Sequence, residues 1–216
     1  MYKRQIYECL QEGWKHDLRN VWWIIDYNRQ SLDGVVHEGL WEKIDSVFKS
    51  FGWNVVVIKY GELQLNAFNE PGGEKLKEWI DNCPNQLYSA LIFEGGKAIK
   101  ERILDDIGDQ GNISKLLDSR TDEEFLELMA NLGGHCIKSL KNAFDSIKDD
   151  KPTAFLAYTI KGWGTPLAGH KDNHAGLMTK SQMNDFKSKM KINEGEEWND
   201  FSKDKKAVSY THLTLP

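Results

Sequence analysis

Two short apolar runs, Val21–Ile25 and Val55–Ile58, enclose one amphipathic segment, and that spacing leaves few folds open. Both runs are rich in β-branched and aromatic residues. Each is too short to be a helix, and they read as strands buried on both faces. Between them, Leu40 to Phe51 places Leu40, Ile44, Val47, Phe48 and Phe51 on one helical face, with Gly52 as the stop. Strand, helix and strand with short connections form a βαβ unit, so the strands run parallel. A third run, Thr153–Thr159, follows Pro152 and supplies another strand. The expectation is an α/β fold: a partial parallel sheet with helices on both faces.

The chain between the second and third strands carries no strand pattern. From about 63 to 152 it holds helical patterns at Glu74–Ile80, Gly95–Ile107, Ile113–Leu117, Thr121–Leu132 and Ile137–Ile147. This reads as an all-helical insertion, and Thr121-Asp-Glu-Glu124 reads as a capping box within it. Thr179 is placed to cap a last helix running to Met190. Residues 193–206 form a charged tail. Residues 1–5 and 207–216 do not continue the patterns beside them and resemble translated adapter sequence. The expected folded body is therefore 6–192.

Composition narrows the function classes. The 216 residues carry a formal net charge of -5, and no Lys/Arg cluster is dense enough for a nucleic-acid face. No apolar run approaches the roughly 20 residues of a membrane span. Cys9, Cys83 and Cys136 are odd in number and widely spaced, which suits a reduced, cytoplasmic setting rather than a disulfide framework or a zinc site.

In an open parallel sheet, ligands bind beyond the carboxyl ends of the strands. Three polar segments fall there: Asp26–Gly34, Tyr60–Gly61, and Lys161 through His174. In the first, the side-chain oxygens of Asp26 and Asn28 are hard donors suited to Mg2+ or Ca2+. The same residues also suit a plain Asx turn between strand and helix. Gly169 and Gly176 bracket the loop that holds His170 and His174. His135, in Gly133-Gly134-His135, reads as a satisfied helix-start histidine and is assigned no chemistry.

Asp26-Tyr-Asn28-Arg-Gln30-Ser-Leu-Asp-Gly34 resembles the second half of the thiamine-diphosphate/Mg2+ motif of transketolase-like enzymes. Phe51-Gly-Trp-Asn-Val55, Asn131-Leu-Gly-Gly-His135, Thr159-Ile-Lys-Gly-Trp-Gly164 and His174 follow in the order found in the homodimeric pyruvate dehydrogenase E1 family and its 2-oxo-acid dehydrogenase relatives. The resemblance covers about residues 6–189. It implies a fragment of the diphosphate-binding domain of a homodimeric E1 that decarboxylates pyruvate, or a close 2-oxo acid, between glycolysis and acetyl-CoA. The acyl group would pass to a dihydrolipoyl acyltransferase (E2). The implied cofactors are thiamine diphosphate and Mg2+. Asn28 would give the metal its side-chain oxygen and Gln30 its backbone carbonyl, while Asp26 and Lys161 would lie on the cofactor's diphosphate side. An acid at Asp26 would repel phosphate unless it faces a donor. His174 would be the catalytic histidine of a mobile loop, with His170 the weaker rival. Two alternatives stay beside this reading: transketolase-type ketol transfer, and an α/β binding module inactive as isolated. The length of the helical insertion and the lack of a phosphate-binding Arg/His set argue against transketolase.

Overall fold

A computed structural model describes residues 2–31 and 34–198, with side chains described over 7–30 and 36–198. Among the described residues there are five strands: β1 Trp22–Tyr27, β2 Gln30–Ser31, β3 Gly34–Val35, β4 Asn54–Ile58 and β5 Thr153–Tyr158. The helices are α1 Tyr2–Lys15, α2 Leu40–Ser50, α3 Glu62–Ala67, α4 Gly73–Asn82, α5 Asn85–Glu94, α6 Gly96–Ile107, α7 Ile113–Asp118, α8 Asp122–Ala130, α9 Ile137–Asp145 and α10 Lys180–Lys189. None is long and apolar enough to cross a membrane, among the described residues.

The architecture is α/β. β1, β5 and β4 form a parallel sheet in that order, with Ile24 level with Phe155 and Phe155 level with Val56. β5 thus sits between the two strands of the expected βαβ unit. Every residue of β5 is buried, as a central strand covered on both faces requires. Leu10 of α1 and Phe48 of α2 cluster with Trp53 and Ala154 on one face, packed by Trp23, Ile25 and Val55. On the other face, Ala143, Leu140 and Phe144 of α9 pack against Phe155, Val56 and Ile58.

β1 departs from the sequence expectation. It was read as buried on both faces, but it is an edge strand: Trp22 is 49% exposed and Ile24 57% exposed. Trp22 stacks on Phe144 at 5.1 Å between ring centroids, so only part of its ring is covered. A continuous apolar run records how hydrophobic a strand is, not how many neighbours it has. β4 is likewise only half-buried, with Val57 at the surface.

The segment between β4 and β5 is helical throughout, as its pattern predicts, and holds the largest core. Leu76, Ile99, Ile103, Ile113, Phe125 and Met129 are fully buried there. The expected capping box is formed: Thr121 Oγ1 accepts from Glu124 N at 3.2 Å, and Glu124 Oε2 accepts from Thr121 N at 2.8 Å. Two helices carried no recognisable pattern. α3 buries Gln64 and Ala67 and exposes Leu63 and Leu65, the reverse of an amphipathic signal. α5 is apolar on most sides, so it has no polar stripe to give it away. α1 begins at Tyr2, ahead of the expected start at Ile6.

The chain divides into two units, residues 1–176 and 177–216. The sheet, the helical insertion and the loop through His174 all lie in the first. The second contains α10, capped as expected by Thr179, whose Oγ1 accepts from Gln182 N at 3.3 Å. Residues 199–206 of the charged tail and the segment 207–216 lie outside the described residues.

Candidate active site

The carboxyl ends of β1 and β5 lie side by side, and the first candidate residues meet there. Asp26 is on the α9 face of β1, level with Ala157 of β5. Thr159, just past β5, donates its hydroxyl to Asp26 Oδ1. Asn28 Nδ2 donates to Asp26 Oδ2 at 3.4 Å. Both carboxylate oxygens of Asp26 therefore face donors, the condition under which an acid is tolerable beside a diphosphate. In this arrangement Asp26 ties the Asn28 turn to the end of the central strand.

Asn28 itself is half-buried, and its Oδ1 accepts from Gln30 N at 2.9 Å. This is the Asx turn that the sequence also allowed. It uses one lone pair of the amide oxygen and leaves a second. Turn and metal ligand are thus compatible for the same side chain. Gln30 Oε1 is buried with no hydrogen-bond partner among the described residues. Such an orphaned acceptor costs roughly 1–3 kcal/mol, and it adds an unspent oxygen to the loop. Leu32 and Asp33, the rest of the motif, lie outside the described residues. Among the described residues no three His, Cys, Asp or Glu side chains converge as a metal cage. The loop instead offers amide oxygens, a partial donor set that fits a hard cation whose shell is completed by phosphate and water.

The Lys161 turn is fixed from below. His135, at the end of the short 3-10 turn Gly133–His135, accepts the backbone N–H of Ile160 on Nε2 at 2.8 Å. Its ring stacks on Trp163 at 4.5 Å and 14°. Burial lowers the pKa of this imidazole, against a smaller upward pull from Asp26. His135 is thus satisfied, as the sequence suggests, yet it props the turn that carries Lys161. Its neighbour must be glycine: a Cβ on Gly134 would lie 2.5 Å from Thr159 Cγ2 and 2.6 Å from Tyr158 O.

The carbonyl of Lys161 anchors the following loop. It accepts from Gly169 N at 3.1 Å and from Asn173 Nδ2 at 2.8 Å. His170 packs its ring on Phe93 of α5 at 4.5 Å, and its Nδ1 accepts from Asp172 N at 3.1 Å. His174, one residue past Asn173, is exposed. The loop thus docks His170 and leaves His174 on its outer side. Gly169 has φ +78°, and a Cβ there would meet Ser89 O at 2.5 Å. Close packing against α5, more than hinge freedom, requires glycine at this position.

Hydrogen bonds link Asp26, Asn28, Gln30 and Thr159 into one group and Lys161, Gly169 and Asn173 into a second. Thr159 and Lys161 are two residues apart, so one strand end carries both groups. The Tyr60 segment forms the third polar edge: Asp81 of α4 accepts from Tyr60 Oη, Lys59 and Lys77. Burial raises the Asp81 pKa, but these three donors outweigh it and leave it below the ordinary carboxylate value.

Sequence reasoning missed Thr159 as a partner of Asp26, and it missed Arg29. Arg29 stands between the candidate ligands with φ +62°, a left-handed conformation that costs an L-residue roughly 1–2 kcal/mol. Nothing in the pattern signals either role, because both depend on which strand ends become neighbours.

No protein-family model matches the chain. Curated relatives do. The pyruvate dehydrogenase E1 component of Corynebacterium glutamicum is 26% identical over 182 residues, covering 82% of this chain and 19% of the relative. That of Escherichia coli K12 is 27% identical over 173 residues, covering 78% and 19%. That of Buchnera aphidicola from Schizaphis graminum is 29% identical over 174 residues, covering 79% and 19%. The chain is similar to pyruvate dehydrogenase E1 components at 26–29% identity over about four-fifths of its length. It spans about a fifth of the length of these relatives. The E1 homology bears out the family resemblance read from Asp26–Gly34, the Lys161 turn and the motifs between them.

Proposed function

We propose that the chain is the part of a thiamine-diphosphate-dependent 2-oxo-acid dehydrogenase that carries the metal loop and the diphosphate-side turn. The observation that carries this reading is the junction of Asp26, Asn28 and Thr159 at the carboxyl end of a parallel sheet, with Thr159 two residues from Lys161. The relatives named pyruvate dehydrogenase E1 component support the reaction class. Bound thiamine diphosphate would supply the carbanion chemistry that decarboxylates the 2-oxo acid. The chain's own residues do the rest of the work assigned here. Asn28 Oδ1 and the Gln30 carbonyl would hold Mg2+, and Asp26 orients the Asn28 amide through its hydrogen bond. Lys161 gives a cation to the diphosphate side. His174, exposed on its loop, faces the acyl transfer to a dihydrolipoyl acyltransferase. Pyruvate is the proposed substrate, and a homodimer completes the site.

As isolated, the chain is proposed to be inactive, because its candidate residues account for metal and diphosphate binding alone. The test supplies the longest product of its gene with thiamine diphosphate, Mg2+, an electron acceptor and either pyruvate or a ketose phosphate. The reading predicts CO2 release and acceptor reduction with pyruvate only. Ketol transfer between sugar phosphates, without pyruvate turnover, overturns it.

A further inference from the structure

Arg29 is a buried cation held by rings. It is only 7% exposed, and its Nε has no hydrogen-bond partner among the described residues. No ion pair involving it is formed among the described residues. Its guanidinium carbon instead lies 4.8 Å from the ring centroid of Tyr88 on α5 and 5.9 Å from that of Tyr158 at the end of β5. A desolvated guanidinium between aromatic faces is a strong form of cation–π contact. Tyr88 is itself pinned, because its hydroxyl donates to Met129 O at 2.6 Å. The Arg29 carbonyl accepts Val36 N at 2.8 Å, which closes the loop behind Gln30. A left-handed non-glycine residue is favoured where its surroundings hold it, and both rings contact Arg29.

We propose that Arg29 is the positioning residue of the metal loop: clamped between Tyr88 and Tyr158, it fixes the left-handed turn that presents Asn28 and Gln30. The helical insertion, through Tyr88, thereby shapes the site. This inference rests on the reading of Asn28 and Gln30 as the ligand pair.

Hydrogen exchange tests the clamp without any ligand, at the amides of Gln30 and Val36, both of which are hydrogen-bonded in the turn. Arg29→Leu is expected to cut their protection about tenfold while β5 amides stay protected. Arg29→Lys, which keeps a cation beside the rings, recovers most of it. In the longest gene product, calorimetry with Mn2+ and thiamine diphosphate should show about tenfold weaker binding for Arg29→Leu. Wild-type protection and affinity in Arg29→Leu overturn the proposal. If that variant does not fold, Tyr88→Leu makes the same comparison with Arg29 in place, and unchanged protection there is equally fatal. An Asn28→Ala variant that keeps full Mn2+ affinity instead sinks the ligand reading, while the exchange data still decide whether Arg29 holds the turn.

Discussion

His135 shows how a residue with no chemistry of its own comes to control a site. Its Nε2 is an acceptor for Ile160 N, and protonation would turn that acceptor into a donor facing a donor. Because burial lowers its pKa in the folded state, the unfolded chain takes up the proton first as pH falls. The stabilisation is present above the ordinary imidazole value of about 6.5 and is lost as pH drops below it. Urea denaturation is therefore expected to show the wild type losing stability between about pH 7.5 and about pH 5.5, with His135→Phe nearly flat across that window. Equal slopes for the two proteins would remove His135 from the account. The cysteines offer a second check at this scale. Cys9 is exposed, whereas burial pushes the Cys83 thiol up to about 12. A thiol reagent at neutral pH should label the exposed Cys9 faster than the half-buried Cys83. Equal labelling rates in the folded chain would contradict this difference. Asn28, Gln30, Asp26 and Lys161 were singled out because they follow apolar strands in an order that resembles a family motif. Arg29 and Thr159 were not, because their partners are more than fifty residues away in sequence.

Among the elements, the turn Gly133–His135 is the tightest fit. Gly134 approaches the end of β5 so closely that a single methyl would have to displace Thr159 or the Tyr158 carbonyl. Gly134→Ala is expected to destabilise the fold by about 2 kcal/mol, read as a lower urea midpoint, with Thr159 pushed off Asp26. A wild-type midpoint would mean that the turn has slack. α8 makes the milder comparison: Thr121→Ala removes its cap and should cost about 1 kcal/mol without touching the site. The caps, α2 and the three sheet strands could be read from spacing, since each depends on neighbours a few residues away. α3 and α5 could not, because their burial is set by packing against other helices: Gln64 is buried where it bonds Tyr88 and Met129, and the leucines beside it are not.

For the whole molecule, the sheet's open edge is the dominant fact. Trp22 and Ile24 project from β1 with little cover, and an exposed apolar edge strand is a template for self-association. The chain on its own should sediment as concentration-dependent oligomers, and Ile24→Lys should shift it toward monomer. A monomeric wild type at high concentration would show that the edge is quiet. Which strand stands at the edge was the part of the fold least visible beforehand, since composition alone describes β1 as a strand that belongs inside. At the other end of the same strand, the Asn28 amide oxygen is proposed to help hold a divalent ion that anchors a diphosphate. Calorimetry of thiamine diphosphate with the longest product of the gene tests it most directly. Binding that requires Mg2+ and weakens by about tenfold or more in Asn28→Ala is the predicted result; binding of equal affinity in the variant, or without the metal, would contradict it.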